Sequence, residues 1–162
     1  MIANRPKGLW AIVVTFLVAF MLTILPLPEW ALPWRPAWVA LVLGYWCLAL
    51  PQTVGVLSGW LIGLFLDVVH GSFFGQHALG LAFVSYFIVL NHRQIRVFPL
   101  IRQAIVIGSL VFVYTLLTLL VYNFLGSKPY SYYYLASALT SALLWPWVFI
   151  ILRDLRRKFN LA

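Results

Sequence analysis

The sequence predicts an all-α polytopic membrane protein of six transmembrane helices, with both chain ends on the cytoplasmic side. Three observations carry that prediction. The 162 residues are 64% hydrophobic and 9% charged, with a mean hydropathy of +1.00, whereas soluble domains carry about 25% charged residues. The apolar residues gather into runs separated by polar or proline-rich breaks. The basic residues favour alternate breaks. Arg5, Lys7, Arg93, Arg96, Arg102, Arg153, Arg156, Arg157 and Lys158 fall on one side, and only Arg35 and Lys128 on the other. That asymmetry is the positive-inside pattern. The net charge of +8 is thereby read as topology. No basic face interleaved with stacking aromatics is left over for nucleic acid.

The whole chain, residues 1–162, is expected to form one integral membrane domain. The first span is placed at residues 9–25. Its basic start and apolar stretch look like a signal peptide, but Pro26-Leu27-Pro28-Glu29-Trp30 lacks the small residues of a cleavage site, so it is expected to stay. Pro26, Pro28, Pro33 and Pro36 make the next stretch a stiff irregular loop. The second span, 37–50, is short and ends at Pro51, and a tight Pro51-Gln52-Thr53 turn leads to the third, 54–69. The fourth, 73–90, is interrupted near its start by Gln76 and His77, and 104–125 and 132–152 complete the set. A full span needs about 20 apolar residues, so the second must sit in a thinned bilayer or behind longer helices. A five-span alternative fuses two short runs, but an even number keeps the nine basic residues together. Trp30, Trp34, Trp38, Tyr130, Tyr132, Tyr133 and Tyr134 mark the outer interface and Trp10 the inner one. Cys47, the single cysteine, falls in an apolar run and reads as a small buried hydrophobe.

Within residues 55–75 a small or acidic residue recurs every fourth position: Gly55, Gly59, Gly63, Asp67, Gly71 and Gly75. In a helix these line one slowly winding side. The result is a groove of bare backbone for a close helix approach, packing internally or on a partner. Asp67 lies roughly 20 Å along the third span at 1.5 Å per residue, toward the outer face. A carboxylate there points inward. It is expected to cap or hydrogen-bond a neighbouring helix or loop, with a proton-coupled or ligand-binding role as the alternative. His70, one turn on, is placed to pair with Asp67, while His92 belongs with the basic loop. With His77 the set hints at a metal site, but Gly71 and Gly75 break the helix and a metal needs three or four converging ligands. No metal is expected.

The three acids, Glu29, Asp67 and Asp154, are spread over the outer loop, the membrane and the cytoplasmic end. No two can flank one substrate as an acid/base pair. No phosphate-cradling glycine loop and no nucleophile triad is present. The chain is read as a non-enzyme. In the last span Pro146, between Trp145 and Trp147, predicts a kink. Ser137 and Ser141 form a small-xxx-small pair for packing against the third span or another protein. The basic cluster at 153–158 would rest on anionic lipid heads or a cytoplasmic partner.

Arg35-Pro36 with Trp38, Tyr45-Trp46, Leu50-Pro51, then Gly59, Gly63, Leu66-Asp67 and Gly71, and finally Leu144-Trp145-Pro146-Trp147 give an ordered set of landmarks. By their order and spacing over nearly the whole chain, the sequence resembles the MreD family of rod shape-determining membrane proteins. The resemblance implies a scaffold in the bacterial inner membrane, part of the cell-elongation machinery that organises peptidoglycan synthesis. The partners it implies are MreC, most directly, then MreB, and a glycan polymerase paired with a transpeptidase. It implies a fold similar to the substrate-binding subunits of energy-coupling vitamin transporters, with no cofactor and no catalytic residues. His70 and His77 are not part of its pattern. The Gly groove, the Arg35, Pro36, Trp38 and Trp145, Pro146, Trp147 surfaces, and the basic ends are the expected docking elements. The competing expectation is a small-molecule-binding or transporter subunit whose pocket opens outward at Asp67.

Overall fold

Six α-helices, with two short 3₁₀ turns between them, make up a computed structural model that describes residues 5–125 and 132–161. They are α1 (Arg5–Ile24), α2 (Trp38–Ala49), α3 (Val56–His70), α4 (Gln76–Val97), α5 (Leu100–Phe124) and α6 (Ala136–Lys158). Among the described residues there is no strand. The 3₁₀ turns, Glu29–Trp34 and Tyr132–Leu135, precede α2 and α6. Lys128 and Tyr130 lie outside the described residues. Among the described residues two helical segments are long and apolar enough to cross a membrane, Leu100–Phe124 and Tyr132–Lys158, and Gly8–Ile24 and Val56–His70 are shorter apolar helices.

The short second helix is explained by its place. Every residue from 39 to 48 is buried, and α2 packs on α1, α4, α5 and α6. A helix of 12 residues rises only about 18 Å, which suffices where neighbours rather than lipid surround it. Burial is also why its sequence is apolar on all sides instead of in a stripe. Trp46, fully buried, donates its indole N–H to Thr15 Oγ1 at 2.9 Å, tying α2 to α1. Tyr45 stands edge-on to Phe149 of α6, 5.5 Å between ring centres. The exposed large apolar side chains, among them Leu57, Phe65, Leu143 and Ile151, cover the outside of the bundle, as a lipid-facing surface requires.

Two corrections concern the fourth helix. Gln76 and His77 begin α4 instead of interrupting it, and Gly75 is its N-cap. At the other end α4 runs on to Val97, so Arg93 and Arg96 are helical and Arg102 lies in the first turn of α5. The expected basic loop is reduced to Phe98-Pro99, because proline sets α5 going with its fixed φ while ending the helix before it. Likewise 153–158 are the last turns of α6. Pro146 lies inside α6, which continues through it.

Arginines close two helix C-termini, where carbonyls lack intrahelical donors. Arg35 donates to the carbonyls of Thr23 and Leu25 at the end of α1, at 2.7 and 2.6 Å. Arg96 donates to those of Leu48 and Ala49 at the end of α2, both at 2.8 Å. A planar fork of donors suits paired carbonyls better than an ammonium does, and the positive charge complements the helix dipole.

Candidate functional site

The polar centre is built where α3 ends and α4 begins. Gly71, at φ +62°, ends α3. Its N–H reaches the Val68 carbonyl and the Ser72 N–H reaches the Asp67 carbonyl, the paired bonds of a Schellman turn. Four residues on, Gly75 at φ +93° starts α4. Both positions need a left-handed backbone that glycine adopts without strain. The tight reversal carries the start of α4 back over the last turn of α3.

Asp67, 1% exposed, serves that start as a cap from the neighbouring helix. Its Oδ2 accepts the Gly75 N–H at 2.9 Å, and its Oδ1 accepts the His77 N–H at 2.8 Å. Oδ1 also accepts the Ser72 hydroxyl at 3.0 Å and lies 2.7 Å from His77 Nδ1. An ionised carboxylate can only accept, which puts the proton of His77 on Nδ1. Two N–H groups that no helical carbonyl can reach are thus satisfied by a negative charge at the positive end of α4. His77, not His70, is the partner of Asp67. His70 bonds the Leu66 carbonyl through Nδ1 at 3.0 Å and stacks on His77, with ring centres 5.0 Å apart. Among the described residues no three His, Cys, Asp or Glu side chains converge as metal ligands.

Of the six ladder positions, Gly59, Gly63 and Asp67 face α4. A Cβ on Gly63 would stand 2.3 Å from Ala78 Cα, and one on Gly59 2.1 Å from Ser85 Oγ. The groove is therefore filled by this chain's own α4. Gly55 is the N-cap of α3, and Gly71 and Gly75 are turn positions with open space around them. These three carry backbone shape, not packing.

The hydroxyls of Ser137 and Ser141 bond to the segment before α2. The Ser137 hydroxyl donates to the Arg35 carbonyl at 2.7 Å, and Ser141 Oγ accepts the Ala37 N–H at 3.0 Å. Together they hold the extended Arg35-Pro36-Ala37 segment against α6. Trp145 is fully buried and its indole points at Gln103 Oε1, 3.4 Å away, whereas Trp147 is exposed. Gln103 in turn donates to the carbonyls of Ile95 and Phe98, closing the α4–α5 turn.

Beside this centre opens a cavity of about 480 Å³. Its walls come from the ends of α1, α3 and α5 and the beginnings of α2, α4 and α6. Arg35, Trp38, His70, Ser72, Gln76 and His77 are among its lining residues; Asp67 is not, since Ser72 and His77 lie in front of it. An outward pocket centred on the carboxylate is thus replaced by one screened from it. Gln76 was legible only as a polar interruption in an apolar run. Its amide donates to the Thr118 carbonyl at 2.9 Å, linking α4 to α5.

The fold and its centre define a class: a helical bundle with apolar, membrane-suited helices whose one buried carboxylate caps a helix. A family model for rod shape-determining protein MreD matches residues 4–155. The chain is 38% identical over 146 residues to the rod shape-determining protein MreD of Haemophilus influenzae, covering 90% of each chain. This chain belongs to the MreD family. No solved structure matches it.

Proposed function

We propose that the chain is a non-enzymatic inner-membrane scaffold of the rod complex, with six spans and both ends cytoplasmic. In this reading it maintains rod shape by organising peptidoglycan synthesis with MreC, MreB, and the glycan polymerase and transpeptidase of elongation. Family membership supports rod-shape determination. The use of Asp67 as a helix cap, with no second acid beside it, supports a structural role for the polar centre. The nine basic residues at one end support the topology and a cytoplasmic face toward filament-linked machinery. The same six-span order would suit the fold of energy-coupling transporter substrate subunits.

The observation that carries the scaffold reading is an apolar recess of about 870 Å³ between α5 and α6, bordered by Ser109, Phe112 and Leu139. Small residues there allow another helix close access. With the glycine groove filled by α4, this recess is where a single partner span would fit. Ser109 is exposed and bonds only within its own helix, to the Ile105 carbonyl, so Ser109→Trp fills the recess without breaking the bundle. Mild-detergent purification of this variant should yield a normally stable chain that no longer carries MreC, in cells that widen. Full MreC recovery and normal cell width would overturn the reading.

A further inference from the structure

The corner between α4 and α5 sets charge and apolar surface in an order that a water-facing loop does not call for. Arg96 bonds the carbonyls of Leu48 and Ala49, which puts it level with the end of α2. Arg93 stands three residues earlier on α4, about 4.5 Å back toward the middle of the bundle. Across the Phe98-Pro99 corner, Arg102 is the third residue of α5 and is set back as well. Both arginines are exposed. The residues nearer the corner are apolar and bare: Val97 is 83% exposed and Ile101 77%. Toward the middle of the bundle Leu90 and Ile105 are exposed too, each three residues from its arginine and so on a shared helix side. Each guanidinium therefore sits within a band of exposed hydrocarbon. That order fits the headgroup boundary of a bilayer, where hydrocarbon enters the lipid and charge stays with the phosphates. A partner met in water would leave Val97 and Ile101 wet whenever it was absent.

The two charges are unspent. Among the described residues the ion pairs are His77–Asp67 and Arg153–Asp154, and Arg96 is committed to α2. Neither Arg93 nor Arg102 has a hydrogen bond or ion pair among the described residues. Arg102 is held by the Phe98 ring, whose centre lies 5.3 Å from the guanidinium carbon. A ring covers the face of a guanidinium and leaves its edge donors free, and that edge fits two oxygens of a phosphate. The basic end of α6 differs in level. Ser141 lies against Ala37 and Phe149 against Tyr45, so α2 and α6 run side by side and Arg153 is level with Ala49. Arg156, Arg157 and Lys158 then project roughly 5–8 Å further out at 1.5 Å per residue.

We propose that the α4–α5 corner binds the phosphate headgroup of an anionic phospholipid, with Arg93 and Arg102 on the phosphate and Val97 and Ile101 among the acyl chains. The leaflet it meets follows from the proposed topology; the site itself does not rest on the scaffold role.

The test titrates the full chain, purified in a non-ionic detergent, with dioleoylphosphatidylglycerol, and counts bound lipid by native mass spectrometry. The zwitterionic dioleoylphosphatidylcholine should bind more weakly. Because both side chains are exposed and carry no hydrogen bond, Arg93→Gln and Arg102→Gln leave the bundle intact. Each should weaken binding of the first phosphatidylglycerol about fivefold, the ratio for one basic group at an anionic surface. The paired change Arg157→Gln with Lys158→Gln should leave that first affinity unchanged, and excess inorganic phosphate should not displace the lipid. Equal affinity for the two lipids, no loss in either corner variant, an equal loss in the α6 variant, or displacement by inorganic phosphate would each overturn the proposal. A photo-crosslinking residue at position 97 should label lipid in cells; a polypeptide captured there in its place would overturn it in favour of a protein partner.

Discussion

Asp67 and His77, ten residues apart and on different helices, are joined twice: Oδ1 of the aspartate lies 2.7 Å from the imidazole Nδ1 and 2.8 Å from the backbone nitrogen of the same histidine. One carboxylate oxygen thereby fixes both the side chain and the main chain of His77. This is a helix cap and a latch in one group.

Replacing Asp67 tests the latch. Asparagine keeps the shape but turns one oxygen into a donor that faces another donor, Gly75 N–H or the His77 pair. Asp67→Asn is expected to destabilise by about 1–3 kcal/mol, the usual cost of an unmatched buried polar group. Asp67→Leu strips partners from four donors and should cost more. Thermal melting in detergent orders the two, and an asparagine variant as stable as wild type would contradict the geometry.

The glycine positions should separate by cause. At Gly63 an added methyl meets backbone, Ala78 Cα and N at 2.3 and 2.6 Å, so the helices must part. At Gly59 the first obstacle is the Ser85 hydroxyl, with the Leu81 carbonyl at 3.0 Å. Gly63→Ala should lose about 1–3 kcal/mol by overpacking, Gly59→Ala somewhat less. Gly71→Ala should lose about 1 kcal/mol through its positive φ alone, since the space around it is open. Melting temperatures in the order Gly71→Ala above Gly59→Ala above Gly63→Ala are the expected result. Leucine at Gly59 or Gly63 would break the fold, and so would report on stability instead of partner binding.

The two arginine caps predict a local readout. Arg35→Met and Arg96→Met each remove two charge-assisted bonds to helix-end carbonyls, a loss of roughly 1.5–3 kcal/mol. Hydrogen exchange should accelerate in the last turn of α1 for Arg35→Met and of α2 for Arg96→Met. Lysine should restore only part of the protection, because it lacks the paired donors.

Ser141→Ala leaves the Ala37 N–H without its acceptor in a site where Ser141 itself is fully buried. Exchange of the Ala37 amide should rise and stability fall by about 1–3 kcal/mol. Ser137→Ala removes only a donor from a carbonyl, which has a second lone pair to satisfy elsewhere, and should cost less.

What the sequence disclosed follows the range over which each force acts. Apolar runs and proline breaks are local, so all six helices were legible, to within a few residues at most ends. Asp67 as a cap for a neighbouring element was legible because a carboxylate among apolar residues must find donors. Which donors it finds depends on two left-handed glycines reversing the chain. That put His77 at the carboxylate, where simple helical spacing had pointed to His70. The arginine at 96 was readable as a charge but not as a cap, since its carbonyls lie 48 and 47 residues earlier in the chain. The pairing of Ser137 and Ser141 with the Arg35-Pro36-Ala37 segment is equally long-range. The cavity was invisible for the same reason, as its walls come from every helix.

The enclosure of α2 bears on how the chain is made. Synthesis delivers α2 second, but the helices that cover it include α4, α5 and α6. Until α6 arrives, Tyr45 lacks its edge-on neighbour Phe149, and this central helix lacks part of its cover. The bundle therefore cannot mature in the order in which it is translated. Its centre is laid down early and sealed last, so a chain interrupted before α6 would leave its most apolar helix open to whatever lies beside it.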